Sequence, residues 1–314
     1  MAIAIPPTSP LALTWAIGAA WSKGATVIPI DCSSPVRIAQ ALNRTRPTAL
    51  VIAGSPLSEM ALMGILEPRA LSACRVIVCV GGLVADRALT ALAKLSAAEL
   101  WTCWKVPPGV IAAIGRLQVG REPGLTPLPD TSVSVRDLAE PSRRAPRGER
   151  GELLVSGPQI PGTADVATEN PPGAAIPGRP TGHLGLIDRD GQLVVADANE
   201  DLIVSTGYLI YPRRVEAALL EHPGVCAAAV VGVEINQRRK SIAFVVLAGD
   251  VAHQAGRHPT RGTSHPSPAD LLAHLAPRVS RVELPGEIVV TQQLPRDAFG
   301  AISKPALRRE LAQR

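Results

Sequence analysis

The sequence predicts an α/β protein in which a mainly parallel sheet is followed by a β-rich part and a compact α+β unit. In the first hundred residues, short β-branched runs alternate with apolar helical patterns, which is typical of βαβ units. From about residue 121 to 180, loops rich in Pro and Gly separate short strands. After Asp201, strands alternate with helices that have clear start and stop signals. A length of 314 residues suits two domains.

The predicted elements of the first part are three strands and the helices between them. The strand-like runs are ATVIPI (25–30), TALVIAG (48–54) and RVIVCVGG (75–82), and VRIAQALNRT (36–45) has a helical pattern. Gly81-Gly82 ends the third run, at the carboxyl end of a strand, where open α/β sheets form their ligand crevices. A simple turn is the alternative interpretation of this glycine pair.

The remaining elements follow from turn and capping signals. TSVSVRD (131–137) and GELLVSGP (151–158) indicate antiparallel strands, and Asp190-Gly191 predicts a tight hairpin. Pro212 is placed to open a helix that Pro223-Gly224 ends. Strands at 226–233 and 241–249, a helix at 269–279, a strand at 286–290 and a short basic C-terminal helix complete the α+β unit.

Composition excludes several function classes. The formal charge of +5 comes from 27 Arg and 5 Lys that are scattered, and aromatics make up only 3%, so we expect no nucleic-acid partner. Five widely spaced cysteines without a C-x-x-C predict reduced thiols in the cytoplasm. The longest N-terminal apolar stretch, Leu11 to Trp21, is too short to span a bilayer, although a signal peptide remains an alternative. His253, His258 and His265 match no zinc spacing, so no metal site is predicted.

Several motifs occur in one order along residues 127–311. They are GERGELLVSGP (148–158), TGHLGLIDRDG (181–191), STG (205–207), IYP (210–212), VE (215–216), HPGV (222–225), LPRDAFG (294–300) and KPALRREL (304–311). Their order and spacing resemble those of the adenylate-forming superfamily, which contains acyl-CoA synthetases and peptide-synthetase adenylation domains. The first hundred residues are more faintly similar to the back part of that family's large N-terminal domain.

The resemblance implies a domain division. Residues 1–199 would be a remnant of the large adenylation core, with about 121–199 as its β-rich subdomain, and 200–314 would be the α+β lid domain. Glu200 would be the hinge between them. The family's phosphate-binding loop, rich in Gly, Ser and Thr, would precede Met1, so the resemblance also implies an N-terminally truncated family member.

The resemblance further implies a carboxylate-activating chemistry that this sequence departs from. Family members join a carboxylate to ATP, release pyrophosphate and pass the acyl group to a thiol, which requires cations and amides at the phosphates. At the position of the family's catalytic lysine this sequence has Ala301. Lys304 is the nearest lysine that could replace it. Where the family has an Asp that binds the ribose hydroxyls, this sequence has His183. A neutral histidine can accept a hydrogen bond through only one ring nitrogen. The nucleotide-binding remnant would comprise Gly81, Gly82, Trp104, Thr181, Gly182 and His183.

These departures leave competing hypotheses. The first is a degenerate AMP-binding protein that lacks efficient ATP-dependent activation and acts as a binding or scaffold component of an acyl or peptide assembly pathway. The second is an acid–thiol ligase that needs a partner chain or uses Lys304, and the third is a decaying fragment. No cofactor is certain, but ATP or AMP with Mg²⁺ would bind if nucleotide binding persists. The implied partners are a carrier protein, a CoA-type thiol or a partner ligase, with homo-oligomers as a further expectation.

For Trp104 there are two interpretations. The resemblance implies that its ring stacks on the nucleotide, and the alternative is that the ring only packs in the core.

Overall fold

A computed structural model describes residues 1–106, 109–160, 176, 178–198, 201–205, 208–235, 238–248 and 265–312. Within these ranges, no helix is both long and apolar enough to cross a membrane.

The first part of the chain forms a seven-stranded sheet with the order β2-β1-β3-β4-β5-β6-β7. Neighbouring strands from β2 to β5 are parallel, and β6 and β7 add to the far edge in antiparallel fashion. The prediction of a mainly parallel sheet is therefore confirmed. The strands are β1 Ala2–Ala4, β2 Ile28–Pro29, β3 Ala49–Ile52, β4 Val76–Val80, β5 Glu99–Val106, β6 Val110–Arg116 and β7 Thr126–Pro127.

Helices connect the parallel strands and cover the sheet. A π-helical segment, Leu11–Ile17, continues into α1, Gly18–Ser22. The next helices are α2 Pro35–Thr45, α3 Gly54–Leu62 and α4 Asp86–Leu95. Helix α3 begins directly after β3, and a Cβ on Gly54 would lie 2.9 Å from the Gly81 carbonyl oxygen. Only glycine therefore allows α3 to start this close to the loop after β4.

A second, antiparallel sheet has the order β11-β10-β9-β8. Its strands are β8 Ser132–Arg136, β9 Gly151–Ser156, β10 Arg179–Ile187 and β11 Leu193–Ala198. The β10–β11 hairpin turns at the predicted Asp190-Gly191 pair, where Gly191 has a φ of 79°. The Asp188 carboxylate accepts hydrogen bonds from the backbone N–H groups of Asp190 and Gln192 and so fixes this turn.

The C-terminal unit comprises the described residues from 201 to 312. It contains β12 Ile203–Ser205, β13 Tyr208–Ile210, α5 Pro212–Leu220, β14 Val225–Ile235, β15 Arg238–Leu247, α6 Pro268–Leu275, β16 Glu287–Val290 and α7 Lys304–Ala312. Strands β14, β15 and β16 form one sheet. Helix α6 starts with a capping box between Ser267 and Asp270, which satisfies backbone donors at its first turn.

One hydrophobic core joins the first sheet to the C-terminal unit. Leu57 and Met60 of α3 and Leu92 of α4 belong to the same buried cluster as Leu219 of α5 and Val230 of β14. At its edge, the Arg87 guanidinium donates hydrogen bonds to the carbonyl oxygens of Leu220 and His222, at 2.9 and 2.6 Å. An arginine of α4 thus caps the carboxyl end of α5, where helix carbonyls lack partners and the helix dipole favours a cation.

Candidate functional site

A cavity of about 410 Å³ lies where the first sheet, the four-stranded sheet and the C-terminal unit meet. We call it the central cavity. Helix α3 and the loop after β4 form one wall, the β10–β11 pair a second, and α5, β14 and the tail loop the others. Its ionisable lining residues are Glu59, His183, Asp197, Asp201, Arg213, Glu216, Asp297 and Lys304.

The central cavity brings together four positions that the resemblance singled out. They are Gly82, His183, Ala301 and Lys304, which come from three different parts of the chain and all line it. Ala198, which pairs with His183 across the β10–β11 ladder, also lines it. Glu200, the expected hinge, lies outside the described residues.

Local hydrogen bonds position His183. The Thr181 hydroxyl is buried and donates to the Leu153 carbonyl oxygen at 2.8 Å, while the His183 backbone N–H donates to the same hydroxyl. Gly182 has a φ of 71°, which lets β10 bend at the register shift between residues 180 and 184. The His183 Nδ1 lies 3.1 Å from the Thr181 carbonyl oxygen. Thr181 and Gly182 therefore set the backbone and ring position of His183.

Trp104 lies beside His183 but within a core. The two rings are T-shaped, with centroids 6.0 Å apart. Trp104 is 5% exposed and packs in a cluster with Val135, Leu153 and Leu193. Its indole Nε1 has no hydrogen-bond partner among the described residues. The ring thus supports the wall that carries His183.

The glycine pair after β4 forms a turn against the start of α3. Gly81 and Gly82 have φ values of 67° and 79°, and the Gly54 N–H donates to the Gly81 carbonyl oxygen at 2.8 Å. A Cβ on Gly82 would lie 3.0 Å from the Ser55 nitrogen. Gly82 belongs to a tight turn and also lines the cavity, and its contact with a ligand stays a prediction.

Lys304 is held in a buried cluster of carboxylates. Its Nζ lies 2.9 Å from Glu216 Oε1 and 3.6 Å from Asp201 Oδ2, and its side chain is 14% exposed. Burial by itself lowers the pKa of Lys304, but the carboxylates of Glu216 and Asp201 outweigh it, so the pKa is raised. The Lys304 ammonium is therefore charged and engaged by protein carboxylates.

The tail loop that carries Ala301 is closely defined. Arg296 and Ile302 pair as an isolated antiparallel bridge, and Asp297 Oδ1 accepts hydrogen bonds from the N–H groups of Phe299 and Ala301. Gly300 has a φ of 77° and lies against Cys32, whose carbonyl oxygen would be 3.0 Å from an added Cβ. A shift of this loop that moved Lys304 to the Ala301 position would break these contacts.

Sequence reasoning missed a buried ion pair in the wall formed by α3. Glu59 is 3% exposed, and its Oε2 lies 2.5 Å from Arg296 Nη2 of the tail loop. Burial raises the pKa of Glu59, and the Arg296 charge opposes that rise. A lone acid inside the otherwise uncharged run SPLSEMAL (55–62) is the signal that could have identified it.

Asp197 and Arg213 form the opposite wall. Asp197 is 2% exposed, and its Oδ1 accepts a hydrogen bond from the Arg213 backbone N–H at 3.2 Å. The Arg213 guanidinium donates to the Ala196 carbonyl oxygen at 2.8 Å. Burial raises the pKa of Asp197, while the charges of Lys304 and Arg213 lower it in part. Motif comparison gave neither residue a role.

Among the described residues, the lining of the cavity offers few cations to a triphosphate and no cluster of ligands to a magnesium ion. Five carboxylates line it against two cations, Arg213 and Lys304. Within the part of the chain that the structure describes, no group of three or more His, Cys, Asp or Glu side chains could hold a metal ion. Of the three histidines in the polar insert, His253 and His258 lie outside the described residues.

Comparisons with known proteins agree with the motif order. Residues 214–300 match the AMP-binding enzyme C-terminal domain family. The chain is 30% identical over 300 residues to a feruloyl-CoA synthase of Amycolatopsis sp., covering 91% of this chain and 56% of that protein. It is 32% identical over 173 residues to a 2-succinylbenzoate–CoA ligase of Bacillus cereus strain Q1, covering 54% of this chain and 31% of that protein.

The fold matches solved structures along almost the whole chain. The amide bond synthetase McbA from Marinactinospora thermotolerans superposes with a TM-score of 0.74 and 27% identity, covering 99% of this chain and 61% of that chain. The chain thus spans 56% of the feruloyl-CoA synthase and 61% of McbA, which is less than two thirds of either protein. In its motif order, its C-terminal family match and its fold along 99% of this chain, the protein is similar to members of the adenylate-forming superfamily.

Proposed function

We propose that this chain binds a ligand or partner of an acyl or peptide assembly pathway without efficient ATP-dependent activation of a carboxylate. One observation carries the proposal. Ala301, at the position of the family's catalytic lysine, lines the central cavity, and the nearby Lys304 is already engaged by Glu216 and Asp201. Attack on the α-phosphorus of ATP needs positive groups that are held ready for the developing charge.

Electrostatics of the cavity support the same proposal. The lining has five carboxylates and two cations, and Arg296 and Arg308 pair with two of those carboxylates, so the cavity offers a polyanion no surplus of positive charge. The Arg213 guanidinium donates to a backbone carbonyl, so both lining cations have protein partners. Loss of one positioned donor in such a site typically lowers the rate by about 10²–10³-fold.

The test has a binding arm and a turnover arm. We expect isothermal titration with ATP and Mg²⁺ to give no tight binding, with or without a panel of carboxylates. We expect pyrophosphate release to stay at the no-enzyme background. The feruloyl-CoA synthase of Amycolatopsis sp. is the positive control for both assays. Tight, Mg²⁺-dependent binding of ATP together with pyrophosphate release would refute the proposal.

A ligase that uses Lys304 is the second candidate. Its support is that Lys304 lines the same cavity as His183, which occupies the family's ribose-binding position. Two of the relatives named above are a feruloyl-CoA synthase and a 2-succinylbenzoate–CoA ligase, so the thiol would be of CoA type. Pyrophosphate release that Lys304→Ala abolishes and Lys94→Ala leaves unchanged would favour this candidate. Lys94 is an exposed residue at the end of α4 and serves as the matched control.

A carrier protein or a partner ligase is the macromolecular partner that we propose. Pull-down and pyrophosphate assays with purified pathway proteins test it, since a partner chain could supply phosphate-binding groups that this chain lacks in its described part. Activity that appears only with a partner would support the ligase candidate over the binding protein.

A further inference from the structure

Two histidines from different elements meet at the carboxyl end of α5. His222 follows that helix, and His274 lies on α6. Their rings are T-shaped, with centroids 5.1 Å apart, and both residues are half-buried. Histidine is the side chain whose charge changes near neutral pH, so a contact between two of them is sensitive to protons.

Hydrogen bonds define where each ring carries its proton. The Nδ1 of His222 accepts a hydrogen bond from the Gly224 N–H at 3.1 Å, so this nitrogen carries no proton. The Nε2 of His274 lies 3.0 Å from the carbonyl oxygen of Ala218 and therefore donates. His274 can keep its bond when its other nitrogen gains a proton. His222 cannot, because a charged imidazole has two N–H groups and no acceptor.

Cationic groups approach His222 from two sides. Arg87 of α4 donates to the His222 carbonyl oxygen at 2.6 Å, while His274 of α6 and Arg278, which follows α6, act on the ring electrostatically. Burial lowers the pKa of His222 below its ordinary value of 6.5, and the charges of His274 and Arg87 lower it further. The surroundings therefore favour the neutral ring that the Gly224 hydrogen bond requires.

The carboxylates near His222 are engaged by other groups. Asp270 of α6 opposes the lowering of the His222 pKa, but its Oδ2 accepts hydrogen bonds from the N–H and the hydroxyl of Ser267. Glu221 Oε2 pairs with Arg278 Nε at 2.9 Å. In the described part of the chain, His222 forms no ion pair with either carboxylate. A proton on His222 would thus gain no direct partner.

The turn at 221–225 joins α5 to β14 and contacts α4. The Arg87 guanidinium donates to four carbonyl oxygens around it, those of Leu220, His222, Pro223 and Val225. Leu220 before the turn and Cys226 after it both line the central cavity. A change in the turn therefore reaches the α4–α5 junction and the cavity wall together.

We propose that His222, His274 and the turn at 221–225 form an acid-sensitive latch. A proton from solvent binds His222 Nδ1, displaces the Gly224 N–H and opens the turn, which loosens the junction between α4 and the C-terminal unit beside the central cavity. The step is a reversible protonation in which the new N–H bond is the one covalent change. The latch does not depend on whether the cavity binds a ligand or activates it.

The direction of the pH effect follows from the two states of the chain. Between the folded pKa of His222 and 6.5, the unfolded chain binds more protons than the folded chain. The contribution of the latch to stability is therefore full above a pH of about 6.5 and declines as the pH falls from there toward the folded pKa.

An NMR titration of the full chain with nitrogen-labelled histidine tests the latch without any substitution. We expect the His222 ring to be protonated at Nε2 when neutral and to titrate below a pH of 6.5. A neutral ring that carries its proton on Nδ1, or a pKa at or above 6.5, would overturn the latch.

Hydrogen exchange links the titration to the turn. The amides of 221–229 are compared at about pH 7.5 and about pH 5.5, on either side of the ordinary histidine range, after correction for the intrinsic rates. His222→Asn can place Oδ1 where Nδ1 lies and does not titrate. We expect acid to speed exchange about tenfold more in the wild type than in this variant, because the wild type loses a hydrogen bond. Equal acid responses would refute the proposal.

Two further variants complete the test. His265→Asn is the matched control, because His265 is exposed, and we expect it to respond to acid as the wild type does. His274→Gln keeps a donor for Ala218 and removes a charge that lowers the His222 pKa, so we expect exchange to accelerate at a higher pH than in the wild type. An unchanged or lower pH in His274→Gln would overturn the two-histidine latch even if His222→Asn fails to fold.

Discussion

Replacement of Lys304 by methionine tests whether this lysine is structural. The substitution keeps most of the side-chain volume and removes the charge that faces Glu216 at 2.9 Å. Removing one partner of a buried ion pair typically costs about 3–5 kcal/mol of unfolding free energy, because a buried charge is left uncompensated. In the variant, Glu216 Oε1 still accepts a hydrogen bond from the Val230 N–H, and Asp201 still forms its ion pair with Arg308. Because both carboxylates keep a partner, we expect the loss of unfolding free energy to be at the low end of this range, about 3 kcal/mol.

Urea unfolding followed by circular dichroism measures this cost. We expect a lower midpoint at an unchanged m-value, since the surface exposed on unfolding stays the same. Lys94→Met is the matched control, an exposed change that should stay within about 0.5 kcal/mol. Equal stability losses for the two variants would refute the structural role and would strengthen the ligase candidate.

The same lysine predicts a pH dependence. The pKa of Lys304 in the folded chain lies above its ordinary value of 10.5, so the folded chain holds this proton more tightly than the unfolded chain does. Its contribution to stability is full below a pH of about 10.5 and is lost as the pH rises through the folded pKa. We expect the stability difference between wild type and Lys304→Met to shrink above that pH. A difference that grows with pH there would contradict the assignment.

Three further variants test other parts of the structure. Gly300→Ala should destabilise by more than Gly148→Ala, measured by urea unfolding. Both glycines have positive φ, but only an alanine at 300 would also press against the Cys32 carbonyl oxygen. Leu219→Ala should lower the free energy of unfolding by about 2–5 kcal/mol, because Leu219 is fully buried in the shared core. A smaller loss would show that neighbouring side chains move in to fill the space left by the leucine. Arg87→Met should speed amide hydrogen exchange at the carboxyl end of α5, and unchanged exchange there would exclude its capping role.

Sequence reasoning succeeded where local chemistry decides the structure. The Asp190-Gly191 turn needs a residue that tolerates positive φ, and Gly191 supplies it without help from distant contacts. Helix α5 begins at Pro212 as expected, because proline suits the first helical position. The parallel strands β3 and β4 follow from their β-branched composition and spacing.

The chemistry of the site depends on contacts that no local pattern encodes. Glu216 was recognised within a motif, but its pairing with Lys304 joins residues 88 positions apart and arises only when α5 and α7 meet. The Glu59–Arg296 pair likewise spans the chain between α3 and the tail loop. Helix α3 itself was not predicted, because its nearly uncharged sequence shows little amphipathic periodicity and its glycine start reflects a tertiary contact with Gly81.

The core shared by α3, α4, α5 and β14 has a practical consequence for engineering. Chimeras that exchange the C-terminal unit between relatives as a cassette would cut through this packing and expose Leu219 and Val230, unless α3 and α4 travel with it. A functional graft would then also carry the Arg87 cap of α5. The smallest transplantable module of this protein is therefore discontinuous in sequence.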